Sequence, residues 1–210
     1  LAAIVDEFVK APPRGVVLQS GKKNSFVVGA EVREFENVTN PQDAADSIRE
    51  VHALFNRIEA LPFPMVVTIE GYCLGGGLEL ALSCHYRIAK NTEGTRLGFP
   101  EVRLGIYPGF GGSARTTRLL GGPKALELML SSRMVRASQA KAMGLVDQVV
   151  GPHGELRWAA RAAILKNRKS RGPGLIARLS NLTPARKLIA GLVRKQTAAR
   201  ANPEHYPAPY

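Results

Sequence analysis

The chain has 210 residues, 45% of them hydrophobic, and a formal net charge of +12, which suits one packed domain with an appendage. No apolar run reaches the ~18 residues of a membrane span, no basic-then-apolar leader is present, and the two cysteines, Cys73 and Cys84, fit a reducing compartment such as a bacterial cytoplasm better than a disulfide. The charge is lopsided: residues 1–150 hold 17 Lys+Arg against 15 Asp+Glu, residues 151–210 hold 12 against 2, and the scarcity of aromatics in the basic part argues against a base-stacking nucleic-acid surface.

In chain order, residues 1–10 predict a helix, residues 15–19 a short buried strand, Ser25–Val28 a second strand, and Glu31–Phe35 a short helix. Ala45, Ile48, Val51, Leu54, Phe55, Ile58 and Leu61 recur every three or four residues, so Pro41–Leu61 reads as a long amphipathic helix that Pro62 and Pro64 stop. The β-branched run Met65–Ile69 predicts a strand, Gly76–Ser83 a helix, Tyr86–Ala89 a strand, Asn91–Thr95 a polar turn and Leu97–Phe99 a short strand. Helices are expected near Ser113–Leu120, Pro123–Ser131 and Ser138–Met143, and a last strand at Val146–Val150. Beyond it, Leu156–Lys166, Gly174–Asn181 and Pro184–Arg200 read as helices. Strands that alternate with helices imply an α/β fold with a mostly parallel sheet.

The chemistry concentrates in Val66–Leu80, where a strand runs into Gly75-Gly76-Gly77 and then Glu79. Glycine lets backbone N–H groups approach a ligand with no Cβ in the way, and the first N–H groups of a helix lack internal acceptors and sit at the positive end of its dipole. Such fixed donors can hold an oxygen that gains charge. A second acid, Glu101, follows in Gly98-Phe99-Pro100-Glu101, ahead of Pro108-Gly109-Phe110-Gly111-Gly112. Each piece has a plainer reading: a tight turn for the glycines, and a first-turn carboxylate for either glutamate. Their combination in one order weakens those readings.

Other patterns lead nowhere. Gly109-Phe110-Gly111-Gly112-Ser113-Ala114 matches a dinucleotide fingerprint, but Pro108 interrupts the strand that the fingerprint needs. His52, His85, His153 and His205 have no metal spacing, and His52 reads as a packed or boundary residue of the long helix. There is no G-x-S-x-G elbow.

Ser25–Val32, Gly71–Ala81 and Leu97–Gly112 together resemble the crotonase (enoyl-CoA hydratase/isomerase) superfamily, most closely the hydratase part of multifunctional fatty-acid β-oxidation proteins that join it to a 3-hydroxyacyl-CoA dehydrogenase. The resemblance implies a crotonase spiral of ββα units over residues 1–150, truncated at its N-terminus, where family members carry further strands and a loop that touches the CoA adenine. Residues 151–210 are then a basic helical region and the start of a linker toward a dehydrogenase part. It further implies an enoyl-CoA hydratase with Glu79 and Glu101 as catalytic acids, the backbone N–H groups of Ala30 and Gly76 as the oxyanion hole, and the Gly109 N–H helping to hold the water. Two glutamates favour hydration, although one carboxyl suffices for 3-cis/2-trans isomerisation, and a non-catalytic acyl-CoA- or RNA-binding module is the other alternative. No metal or redox cofactor is implied: CoA belongs to the acyl-CoA thioester substrate, and NAD to the dehydrogenase part alone. The implied assemblies are a homotrimer or association with dehydrogenase and thiolase parts. The basic C-terminal region reads first as a solvated helical face or one that covers an acidic partner surface, with CoA phosphates the next reading and nucleic acid or an anionic membrane surface the last.

Overall fold

The computed structural model describes residues 1–29, 40–170 and 172–199. The helix expected at Glu31–Phe35 and the oxyanion residue Ala30 lie outside the described residues. In chain order the elements are α1 (Ala2–Lys10), β1 (Val16–Gln19), β2 (Ser25–Val27), α2 (Pro41–Glu59), β3 (Met65–Ile69), β4 (Tyr72–Leu74), α3 (Gly76–Ser83), β5 (Tyr86–Lys90) and β6 (Arg96–Gly98). A 3₁₀ turn follows at Glu101–Leu104, then α4 (Gly112–Leu120), α5 (Gly122–Leu130), β7 (Val135–Arg136), α6 (Ala137–Met143), β8 (Gln148–Val150), α7 (Leu156–Leu165), α8 (Leu175–Ser180) and α9 (Thr183–Ala198).

Two sheets form, in the orders β1-β3-β5-β8 and β2-β4-β6-β7. Every pairing is parallel except the one between β6 and β7. From β1 to β6 successive strands alternate between the sheets, each winding laying one strand on each before a helix returns the chain; β7 then joins β6 in the second sheet and β8 returns to the first. This is the α/β spiral of ββα units that the resemblance implies. Its corners stack closely. Gly71, at φ +76°, turns the chain between β3 and β4, and a Cβ there would overlap the backbone of Asn24 from the preceding corner.

Two strands escaped the sequence reading. Tyr72–Leu74 reads in sequence as part of the glycine turn, yet it forms β4 and pairs with both β2 and β6. Val135–Arg136 pairs with Leu97 and Arg96 as β7. Two or three residues carry no periodicity to read; the pairing comes from neighbouring windings.

All five residues of β3 are buried, because the strand is covered on both faces. Val66 packs with Tyr86 and Ile88 of β5 and with Leu156, Ala160 and Ala163 of α7. Met65, Val67 and Ile69 alternate onto the other face and join the main core with Phe26, Leu78, Leu97 and Phe99. Asn40 caps α2 by accepting a hydrogen bond from the Gln42 N–H at 3.0 Å, and Pro41 sits at the helix start where its missing N–H costs nothing. Only Phe55 and Ile58 of α2 are buried, whereas Ile48 is exposed. The predicted apolar stripe thus meets the core in the second half of the helix. An ion pair at 2.8 Å between Arg87 and Asp147, both side chains buried, fastens β5 to the segment entering β8. The guanidinium also donates to the carbonyls of Leu145 and Cys84 and to Ser170 Oγ.

Candidate active site

The glycine turn takes its shape at Gly75, whose φ of +54° and ψ of −129° suit only a residue without a Cβ. Its N–H donates to the Gly98 carbonyl at 3.0 Å, which ties the turn to β6. Gly76 opens α3, so its N–H has no acceptor within the helix. Against it lies Gly29, at φ +106°: a Cβ on Gly29 would stand 3.8 Å from the Gly76 nitrogen. The chain carrying Ala30 thus leaves the described region beside the first N–H of α3.

One turn into α3, Glu79 is buried, with 1% of its surface exposed. Its carboxylate serves a different helix from its own. Oε1 accepts hydrogen bonds from the Phe110 N–H at 2.8 Å and the Gly112 N–H at 2.7 Å. Gly112 opens α4, so Glu79 fills the positive end of that helix from 33 positions away. This also disposes of the dinucleotide fingerprint: the N–H groups that would cradle a phosphate are occupied by a carboxylate. Burial raises the Glu79 pKa, and the Gly112 and Phe110 N–H groups oppose the rise, with smaller help from His52 and Arg115.

Glu101 begins the 3₁₀ turn and faces the glycine turn from the other side. A Cβ on Gly75 would lie 3.0 Å from Glu101 Oε1. Both carboxyl oxygens are buried and neither has a hydrogen-bond partner among the described residues. Burial lifts its pKa from 4.5 to about 7; the dipole of its own peptide N–H, nearby but outside hydrogen-bonding geometry, opposes the rise and the charge of Glu79 adds to it. A buried carboxyl without a partner is costly, and it keeps its lone pairs and proton for something else.

Of the residues expected at the site, Glu79, Glu101 and Gly76 converge around the glycine turn, and Gly109 lies in the loop that supplies donors to Glu79. The Gly109 carbonyl accepts a hydrogen bond from His52 Nε2 at 2.6 Å. His52, a packed or boundary residue of the long helix by its sequence, is half-buried. Its reach to residue 109, and the part played by Arg115, were not visible in the sequence. The only trace was a polar row, His52, Asn56 and Glu59, along one face of an otherwise apolar-striped helix. Two described cavities, of about 210 and about 400 Å³, lie around Cys84 and His85 beyond the far end of α3 and include neither glutamate. Among the described residues no cluster of three or more His, Cys, Asp or Glu could hold a metal ion, and no helix is long and apolar enough to cross a membrane.

The arrangement sets the first N–H of α3, which has no acceptor within its helix, beside two carboxyls of contrasting environment. It suits acid–base chemistry on a substrate whose oxygen gains charge. Comparison with known proteins agrees. A family model described as enoyl-CoA hydratase/isomerase matches residues 8–177. The fatty acid oxidation complex subunit alpha of Shewanella loihica is 42% identical over 199 residues, covering 93% of this chain and 28% of that protein. Its counterpart in Shewanella amazonensis is 42% identical over 215 residues, covering 100% of the chain and 30% of that protein. The chain therefore spans under a third of the length of these curated relatives. Among solved structures, an enoyl-CoA hydratase from Bacillus anthracis superposes with a TM-score of 0.69 at 29% identity, covering 94% of this chain and 85% of that one. Another from Thermoplasma volcanium gives a TM-score of 0.68 at 26% identity, covering 99% and 77%.

Proposed function

The chain belongs to the enoyl-CoA hydratase/isomerase family, and from that premise we propose that it adds water to trans-2-enoyl-CoA thioesters to give 3-hydroxyacyl-CoA, as the hydration step of fatty-acid oxidation. The observation that carries this reading is the contrast between the two buried glutamates: Glu79 anchored by two peptide N–H groups, Glu101 bare at both oxygens.

The proposed reaction uses each feature once. The Gly76 and Ala30 N–H groups hold the thioester oxygen, which becomes an enolate when water adds at Cβ. With Oε1 fixed by the loop, Glu79 keeps Oε2 for the water and takes its proton as the new C–O bond forms. Glu101, protonated near neutrality, gives its proton to Cα as the enolate collapses. Return of the proton from Glu79 to Glu101 through the next water resets the pair. The Gly109 N–H is assigned to the water. Removing one such backbone donor costs roughly 2.7–4 kcal/mol of barrier, and a positioned acid or base contributes ~10²–10⁴-fold. Because Glu101 has two free oxygens, the same site suits a 3-cis to 2-trans double-bond shift, in which one carboxyl removes a proton and returns it elsewhere.

The relatives' length and name support a larger protein that is one subunit of a fatty acid oxidation complex; a dehydrogenase part that oxidises the product, a thiolase partner that cleaves it and a bacterial cytoplasm are the further parts of this proposal. Residues 1–150 would form the catalytic core and residues 151–210 the bridge to the rest.

The test follows the loss of conjugated-thioester absorbance of crotonyl-CoA and of a longer enoyl-CoA. Turnover that disappears in Glu101→Gln and Glu79→Gln, both still folded, supports the assignment. Undiminished turnover in either variant refutes that residue's role, and no turnover by the unaltered protein refutes the hydratase reading for this chain.

A further inference from the structure

We propose that His52 and Arg115 are positioning residues that hold the Gly109–Gly112 loop in the shape that aims Glu79. The inference deepens the hydratase reading and rests on it for its kinetic consequence.

The loop is gripped from α2 and α4 at successive points. His52 Nε2 donates to the Gly109 carbonyl at 2.6 Å. Arg115 Nη1 donates to the Phe110 carbonyl at 3.3 Å. The guanidinium is itself fixed from α2, by Asn56 Oδ1 at 2.7 Å from Nη2 and by Glu59 Oε2 at 3.0 Å from Nε. The ring of Phe110 packs edge-on against Phe55, also of α2, with 6.3 Å between centroids. Gly111, at φ +91°, passes so close that an added Cβ would collide with Arg115 Nη1 and stand 3.6 Å from His52 Cε1.

The Gly109 carbonyl belongs to a working peptide, and the Phe110 carbonyl to the peptide between the two working ones. The peptide between Gly109 and Phe110 presents its carbonyl to His52 and its N–H to Glu79 Oε1. A planar peptide cannot turn one end without the other. The hydrogen bond from His52 therefore fixes the direction of the N–H that holds the carboxylate. His52, Asn56 and Glu59 lie on one face of α2, so the helix presents this grip as a row. Neither His52 nor Arg115 hydrogen-bonds Oε1; beside the small pull of their charge on Glu79 they act through the loop.

The experiment compares His52→Phe, which loses the donor, with His52→Gln, whose side-chain amide can restore it. The groups whose charge bears on Glu79 are His52, Arg115 and Glu101. Readouts are kcat and KM for crotonyl-CoA hydration, the thermal midpoint, and the Glu79 pKa from carboxyl carbon NMR. The expected result is a kcat loss on the order of 10²-fold in His52→Phe, the scale of a misplaced catalytic group, with little change in KM. The Glu79 pKa rises as its N–H donors loosen, and His52→Gln recovers both. An unchanged kcat, an equal loss in His52→Gln, or a pKa rise shared by both variants overturns the proposal, the last because it reports charge and not geometry. If the unaltered protein does not hydrate crotonyl-CoA, the hydratase reading fails. The brace is then still decided by whether the Glu79 pKa rises in His52→Phe and is restored in His52→Gln.

Discussion

Replacing Glu101 by Gln should destroy turnover and at the same time stabilise the protein, by an amount that depends on pH. Glu101 sits with both oxygens buried and unpartnered, and its pKa rises from 4.5 to about 7 on folding. The sign follows from proton binding. Between those two values the folded chain holds a proton that the unfolded chain has released, so stability falls as pH rises. The loss begins near pH 4.5 and levels off above about 7. Each pH unit between folded and unfolded values is worth ~1.4 kcal/mol, which puts the whole effect on the order of 3 kcal/mol. Gln cannot ionise and escapes this loss, although its amide donors need partners and will recover part of it as a cost. For a domain of this size ~1 kcal/mol moves the melting temperature by roughly 2–4 °C. Thermal unfolding of both proteins at pH 5 and pH 8 checks the prediction: near-equal midpoints at pH 5, and a Gln variant higher by up to about 10 °C at pH 8. A Gln variant equally or less stable at pH 8 would mean that the charged carboxylate is well solvated or paired, and the case for Glu101 as a neutral acid near pH 7 would fail.

Gly112→Ala places a Cβ 2.5 Å from Glu79 Cγ and 2.7 Å from its Oε1. The carboxyl must move, so kcat should fall on the order of 10²-fold with a modest change in melting temperature; full activity would show that hydration does not need Glu79 where it lies. Asp147→Ala leaves Arg87 buried without its carboxylate and should cost ~3–5 kcal/mol. The pairing with an apolar residue at both positions, Arg87→Met with Asp147→Leu, should recover much of that loss in thermal unfolding, and an equal loss in the double variant would rule out the unpaired charge as its cause.

The legible parts of the fold were those where one segment dictates its own state. Met65–Ile69 is apolar and β-branched because both of its faces are covered. Pro41–Leu61 announces a helix by its apolar period and the two prolines that stop it. Gly75 marks a φ that only glycine adopts easily. Illegible were the features that need two distant segments at once. Tyr72–Leu74 is a strand because β2 and β6 flank it. The partners of Glu79 lie 31 and 33 residues downstream. His52 meets a carbonyl 57 residues away. A single sequence shows that a polar residue lies on an apolar-striped helix and says nothing about what it faces. The resemblance identified the two glutamates without their surroundings, and the surroundings are what tell them apart.

That difference follows from the winding itself. Both glutamates stand beside the same glycine turn, and burial raises the pKa of both. Glu79 leaves α3 in the direction of the start of α4, where two N–H groups and the end of a helix dipole meet it. Glu101 sits on the far side of the turn, where Gly75 offers an α-carbon and no donor. The rise at Glu79 is opposed by the Gly112 and Phe110 N–H groups, whereas that at Glu101 runs to about 7, and the charge on the first reinforces the proton on the second. Two like residues with opposed environments form a base and an acid at one pH. The stacked corners of the spiral set that contrast before substrate arrives, so the division of roles proposed for Glu79 and Glu101 needs no third side chain between them. It does need the loop at Gly109–Gly112 to stay where α2 and α4 hold it.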